Sequence, residues 1–226
     1  MIIIHKKNEP RELWQAKQNG CECYEDLAGN VRDAIRKQLY EEQGGICGYC
    51  MRRIQYEELE KLVPIIKIEH YMPRHPQANE RSNESTIDYR NMILVCDGNS
   101  GSKKIAQTCD THKGNTPITV NPFDIKTISK IKYKRNGIIY SADVDINEDL
   151  NETLNLNCDA VSLPDNREAA LRSLQTKIKK DLKNRQGDFA YWDDLYHKIN
   201  EKTPKMEYVG ILLDYLQNKI VTARRM

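Results

Sequence analysis

The sequence predicts an α+β protein, and three observations predict it. Apolar residues recur at helical spacing near the N-terminus and again in three stretches of the last third of the chain. Short β-rich runs fall between these helices. Four of the seven cysteines crowd between residues 47 and 109, two of them as Cys47-Gly48-Tyr49-Cys50. Together these divide the chain into an N-terminal strand and helix (1–45), a cysteine-rich module (46–118), and a hairpin followed by a mostly helical region (119–226).

Ile2 to Ile4 reads as a short strand, ended by Pro10. Glu25 to Glu42 is an amphipathic helix: Leu27, Val31, Ala34, Ile35, Gln38 and Leu39 share one face, and Gly44-Gly45 stops it. Residues 62–72 form a strand that Pro64 confines to its later part, with Val63, Ile65, Ile66 and Ile68 as its apolar residues. The polar run from Pro73 to Ser85, with Pro76, Asn79, Ser82 and Asn83, is a loop. Asn91 to Cys96 is a second apolar strand, and Asp97 to Ser102 a turn. Cys109 to Lys113 opens a short helix with Asp110 in its first turn. Lys130 to Ala142 is a hairpin around Asn136-Gly137, the strongest short hairpin signal. Three helical faces follow: Leu171, Leu174, Ile178 and Leu182; Phe189, Trp192, Tyr196 and Ile199; Val209, Leu212, Leu213, Leu216 and Ile220.

Composition excludes several classes. Against 35 basic residues stand 33 acidic ones, so the net charge of +2 fits neither a histone-like binder nor an acidic tail. No apolar run approaches the ~18 residues that span a bilayer. The first residues carry their apolar part before their charges, unlike a secretory signal, and the expectation is a cytoplasmic protein with no membrane partner. An odd number of cysteines points away from a disulfide framework.

Thiolates in a tetrahedral set suit zinc, and a C-x2-C turn lets both sulfurs reach one ion. Cys47, Cys50, Cys96 and Cys109 are therefore expected to hold a structural Zn2+, since four sulfurs leave no open position. The alternative is four cysteines packed as small apolar residues. Between the two pairs, Glu69 and His70 stand side by side at a strand end, ahead of Asn91 and of Cys109-Asp110-Thr111-His112-Lys113-Gly114.

The order C-x2-C, Glu69-His70-x-x-Pro73, Asn91-x-x-Leu94-x-Cys96, Cys109-Asp110-x-x-Lys113-Gly114 resembles the HNH endonuclease family. The resemblance covers residues 47–114. The wide spacing of the last two cysteines and the tail Cys-Asp-Thr-His-Lys-Gly-Asn look like the PtuB-like HNH subunit of Septu anti-phage systems, a group also attached to some retrons.

This resemblance implies a ββα-metal (His-Me finger) core and hydrolysis of phosphodiester bonds, most readily in DNA. It implies that His70 is the general base and that Asn91 ties down the loop that holds it. Glu69 and Asp110 would bind a catalytic Mg2+ or Mn2+, with His112 as second choice to Asp110. Relatives usually carry Asp where Glu69 stands, and Asn or His where Asp110 stands. The implied partners are an ABC/SMC-like ATPase subunit and, in retron-linked members, a reverse transcriptase with its RNA and DNA. Two rival readings stay open: the same site cleaving RNA such as tRNA, and a non-catalytic zinc-ribbon module that binds nucleic acid or the ATPase.

Lys113 and Arg74 are candidate phosphate contacts, each against the reading of a solvated charge. Two basic clusters, Lys126 to Arg135 and Arg172 to Arg185, could track phosphates but read better as solvated faces. His5, His75 and His197, and the cysteines Cys21, Cys23 and Cys158, receive no role.

Overall fold

A computed structural model describes residues 1–55, 66–74, 86–183 and 186–225. The predicted strand residues Val63, Pro64 and Ile65, the loop residues His75, Pro76, Asn79, Ser82 and Asn83, and Arg185 lie outside these described residues. The elements in chain order are α1 (Arg11–Gln18), α2 (Gly29–Gln43), β1 (Ile66–His70), β2 (Met92–Cys96), α3 (Cys109–Lys113), α4 (Ile125–Ile128), β3 (Ile131–Tyr133), β4 (Ile139–Ser141), α5 (Val144–Glu148), α6 (Leu163–Leu182), α7 (Phe189–Glu201) and α8 (Val209–Ala223). The mixture of helices with small antiparallel sheets is the α+β class expected.

The N-terminus departs from expectation. Ile2 to Ile4 form no strand: Ile4 donates one backbone hydrogen bond to Pro122 (2.9 Å), which makes no ladder. Pro10 ends no strand; it precedes the first residue of α1, and its carbonyl accepts from the Trp14 amide (3.0 Å). A proline is tolerated there because the first amides of a helix lack intrahelical partners. The second helix begins at Gly29, later than predicted, and Tyr24–Asp26 form a separate 3-10 turn. Gly44 closes it at φ 63°, a left-handed position that suits glycine.

β1 and β2 pair antiparallel, with Ile66 opposite Cys96 and His70 opposite Met92. Every residue of β2 is buried, between α2 on one side and α3 on the other. Gln43 at the end of α2 completes the edge: its Nε2 donates to the Leu94 carbonyl (2.8 Å) and its Oε1 accepts from the Leu94 amide (2.7 Å). A buried amide with both functions satisfied acts here as one more ladder residue.

The Asn-Gly hairpin is as predicted, with β3 and β4 pairing antiparallel and Gly137 at φ 80°. A Cβ on Gly137 would lie 1.9 Å from the Pro164 carbonyl oxygen, so the glycine also lets α6 dock. Of the three predicted faces, Val209, Leu212, Leu213, Leu216 and Ile220 are all buried. In the other two, Leu171, Leu174, Ile178, Trp192 and Ile199 are buried, Leu182 and Tyr196 are half-buried against the core, and Phe189 is exposed. α8 packs on α6, α7 and β3.

One continuous apolar cluster runs from Leu13 through β2 to Ile220, so the three predicted segments share a core. Main-chain bonds join them as well: Tyr208 donates to Met51 (3.0 Å) and Lys205 to Gly44 (2.9 Å). Among the described residues no helix is long and apolar enough to cross a membrane.

Candidate metal centre and adjoining cleft

The C-x2-C turn lies directly after α2. The Cys47 amide donates to Arg52 (2.9 Å), Met51 donates back to Cys47 (3.0 Å), and Gly48 donates to Leu94 of β2 (2.9 Å). The turn is thereby folded upon itself and fixed to the strand that ends in Cys96. Cys109 opens α3, its amide donating to Leu154 (2.9 Å). Gly98 permits the connection between them: a Cβ there would stand 2.2 Å from the Thr108 carbonyl oxygen.

The result is a compact sulfur cluster. Sγ to Sγ distances are 3.9 Å for Cys47–Cys109, 3.7 Å for Cys50–Cys96 and 3.8 Å for Cys96–Cys109. All four sulfurs lie within 4.8 Å of one another and all four residues are buried. A tetrahedron with metal–sulfur bonds of ~2.3 Å has edges of about 3.8 Å. The cluster could hold a metal ion such as zinc. Among the described residues it is the only group of three or more such side chains that close together; Glu69, His70 and Asp110 do not form a second one.

Beside the cluster a cleft of about 560 Å³ opens between β1, α3 and the turn Tyr24–Asp26. Glu69, His70, Arg74, Asp110 and Lys113 line it. These residues come from the end of β1, the loop after it and the first turns of α3, which pack together because both elements flank β2.

Glu69 is buried and heavily engaged. Lys113 Nζ lies 2.7 Å from its Oε1, and the Tyr49 hydroxyl donates to the same oxygen (3.1 Å). Burial and the neighbouring Asp110 carboxylate push Glu69 up to about 8, against the pull of the Lys113 ammonium. Burial, with Glu69 and Asp110 close by, holds the Tyr49 hydroxyl well above its usual range, so it stays a neutral donor. Lys67 bonds Thr111 Oγ1 (2.8 Å) and lies 3.8 Å from Asp110 Oδ2.

His70 sits with its Nε2 2.8 Å from the Thr86 carbonyl oxygen. A carbonyl can only accept, so Nε2 carries the proton and Nδ1 keeps its lone pair. The Tyr24 ring meets the imidazole edge to face at 4.9 Å. The Tyr24 amide in turn donates to Thr86 Oγ1 (3.0 Å). Burial lowers His70 to about 4; the Thr86 bond resists this and the Arg74 charge adds to it.

Asn91 does not line the cleft. Its Oδ1 accepts from the Met72 amide (2.7 Å) and its Nδ2 donates to the Met72 carbonyl (2.9 Å), fixing the chain just after His70. His112 also lies elsewhere: its Nδ1 is 3.0 Å from the Thr153 carbonyl oxygen, and it is not a wall of the cleft. Arg74 pairs with Glu25, its guanidinium 4.8 Å from the Tyr24 ring centroid. Lys113 is spent on Glu69 and is almost wholly buried, which explains why reading it as a solvated charge fails.

Sequence reasoning missed Tyr49, Tyr24, Lys67 and Arg36, all close to this site. Only Tyr49 carried a signal, as a large residue between two cysteine ligands. The basic clusters behave as solvated faces in part: Lys130 pairs with Asp143 (2.7 Å), Lys132 with Asp214 (3.4 Å) and Arg172 with Glu168 (2.7 Å). No protein-family model and no curated protein matches this chain.

Proposed function

We propose that this protein is a metal-dependent HNH-type endonuclease that hydrolyses phosphodiester bonds, DNA foremost. In this reading it is the effector of an anti-phage complex with an ABC/SMC-like ATPase, a partnership that rests on the sequence resemblance alone. One observation carries the chemistry: an imidazole with a free Nδ1 lone pair and two carboxylates line one cleft, beside a hairpin and helix joined by four sulfurs.

The sulfurs fit one metal role; the second, a catalytic ion, we infer from the resemblance and from the shared cleft wall of Glu69 and Asp110, which form no metal-sized group with His70 among the described residues. Four buried sulfurs at tetrahedral spacing suit a structural Zn2+. Glu69 and Asp110 share one wall; with Glu69 at about 8 and its Oε1 held by Lys113 and Tyr49, binding an ion there would release a proton and loosen the Lys113 pair, leaving carboxylate oxygens of the kind that commonly hold Mg2+. Such an ion supplies Lewis acidity to the scissile phosphate and offsets charge on the leaving oxygen.

His70 takes a proton from water at Nδ1 while Nε2–H stays on Thr86, which keeps the ring from turning. Burial lowers the imidazole to about 4, so it is neutral at pH 7 and a weak base until charge in the cleft changes. A phosphate in the cleft raises its basicity, because an anion favours the charged form. Arg74, Lys67 and Arg36 line the same cleft and balance the charge of the bound backbone. Asn91 positions the histidine through Met72 and makes no bond to substrate.

The test is nicking of plasmid DNA with Mg2+ or Mn2+, alone and with the ATPase subunit. His70→Ala should lower the rate by about 10²–10⁴-fold while the variant stays folded with its zinc content unchanged. Equal cleavage by the variant, or none by wild type under any of these conditions, overturns the reading. A parallel arm with tRNA separates the two backbones.

A further inference from the structure

We propose a second nucleic-acid subsite on the N-terminal helix, where Trp14 stacks an unpaired base and Lys7, Arg11 and Arg90 hold the adjoining phosphates. It rests on the reading that the substrate is nucleic acid, and it names a place that the resemblance does not cover.

A groove of about 670 Å³ lies between α1, the segment before it and the turn Tyr89–Asn91. Trp14 stands in its wall and is 52% exposed, although Leu13 beside it is fully buried. An indole left that open is unusual unless something covers it, since tryptophan is highly buried on average. Among the described residues no ring or cation lies against it.

The charge around it is positive. Four cations line the groove against two carboxylates. Glu9 is taken up by Lys17, and Asp88 accepts from the Arg90 amide. Lys7, Arg11 and Arg90 have no acidic partner among the described residues. Arg11 and Trp14 are three apart on α1 and therefore neighbours on its surface. A flat exposed ring among unpaired cations is the pairing that binds single strands: bases stack and phosphates meet charge, with little dependence on sequence. A protein partner would be expected to bring more apolar surface, and Trp14 is the only large apolar side chain open in this groove.

The groove is also near the cleft. Arg90 lies two residues before Met92, and Met92 is the register partner of His70. Two Cα–Cα steps plus one cross-strand spacing place the Arg90 and His70 backbones within about 13 Å. The groove and the cleft share no lining residue, so each would hold its own part of a strand.

The chain has two tryptophans, and Trp192 is buried, so Trp14 provides the fluorescence that solvent and ligands can reach. The experiment titrates the full-length His70→Ala protein, zinc retained and Mg2+ omitted, with oligo(dT) and in a second arm with oligo(U). Binding is followed by anisotropy of the labelled strand and by tryptophan emission. Emission should be quenched in step with binding. Trp14→Ala should weaken binding roughly 5- to 150-fold, with Trp14→Phe between the two. Lys7→Ala, Arg11→Ala and Arg90→Ala should each lower the salt dependence by about one counterion. Preference for oligo(U) would assign the strand as RNA. Binding with no quenching and no loss in Trp14→Ala overturns the subsite and leaves the nuclease reading standing. Absence of any binding, with wild type also inactive, overturns both. Emission that shifts with protein concentration but not with oligonucleotide also overturns the proposal, and makes this face a protein contact.

Discussion

Removing the metal should unfold much of this protein. Three of the six sulfur–sulfur edges are 3.7–3.9 Å, and all six lie within 4.8 Å. Dividing an edge of about 3.8 Å by the tetrahedral ratio of about 1.63 gives a centre about 2.3 Å from each sulfur, the zinc–thiolate distance. The three edges of 3.7–3.9 Å already match such a tetrahedron. Structural Zn2+ in small domains contributes about 10–16 kcal/mol, which matches or exceeds the whole ~5–15 kcal/mol stability of a typical domain. The four ligands arise from the turn after α2, the end of β2 and the start of α3, so loss of the ion releases the parts that shape the cleft. The assay is metal analysis of the purified chain, then thermal melting before and after a strong chelator, with Cys96→Ser as a genetic equivalent. One zinc per chain is expected, and a melting temperature that collapses on chelation. Bound iron would be visible as colour and would correct the identity of the ion without touching the geometry. A chain that carries no metal and melts at the same temperature with or without chelator refutes the reasoning. The cluster would then be four packed thiols.

Three further predictions concern single side chains. Burial lowers His70 from the ordinary 6.5 to about 4 in the folded protein, worth about 3 kcal/mol. Between those values the unfolded chain binds a proton that the folded chain refuses, so stability falls as pH drops from about 6.5 to about 4. His70→Gln should flatten urea midpoints measured across that window; an unchanged slope would show that another group sets it. Asn91→Ala removes two hydrogen bonds to half-buried Met72 backbone groups, costing about 1–3 kcal/mol in denaturant unfolding. In the nuclease reading its residual activity should fall more than binding does, because His70 loses its anchor. Arg167 is fully buried and donates to Gly137 (2.6 Å), Leu156 (2.8 Å) and Asn157 (2.8 Å), tying the Asn-Gly hairpin to α6. Arg167→Leu should destabilise by on the order of 3 kcal/mol, seen as a shifted unfolding midpoint, and little change would mean the hairpin is held by packing alone.

How the site is built explains why its residues could be found at different levels. The sulfur cluster and the cleft share a boundary at Tyr49, which sits within the cysteine turn and bonds Glu69. An ion held at the sulfurs would thus also set the position of a carboxylate outside the cluster. The Tyr24–Asp26 turn does the same for His70, through Thr86 and through its own ring.

The amino-acid sequence by itself determined whatever depends on neighbours along the chain. A period of 3.6 marks α2 and α8, Asn136-Gly137 the hairpin, Gly44 a helix end, and Cys47-x2-Cys50 a turn with two sulfurs on one side. It also placed Glu69 and His70 at a strand end and Asp110 in a first helical turn. What it left open was set by contacts between distant segments. Nothing local marks Arg167 as buried or Ile2 to Ile4 as lacking a strand partner, whereas α1 behind Pro10 was legible in its helix-forming residues and was missed. Nor could spacing say that Lys113 would face Glu69, that His112 would turn to Thr153, or that Tyr24 would lie on His70 across 46 residues of chain. Secondary structure follows from backbone sterics and short-range periodicity, which a sequence states directly. Partner choice and proton affinity follow from burial, and only tertiary packing decides which groups lose their water.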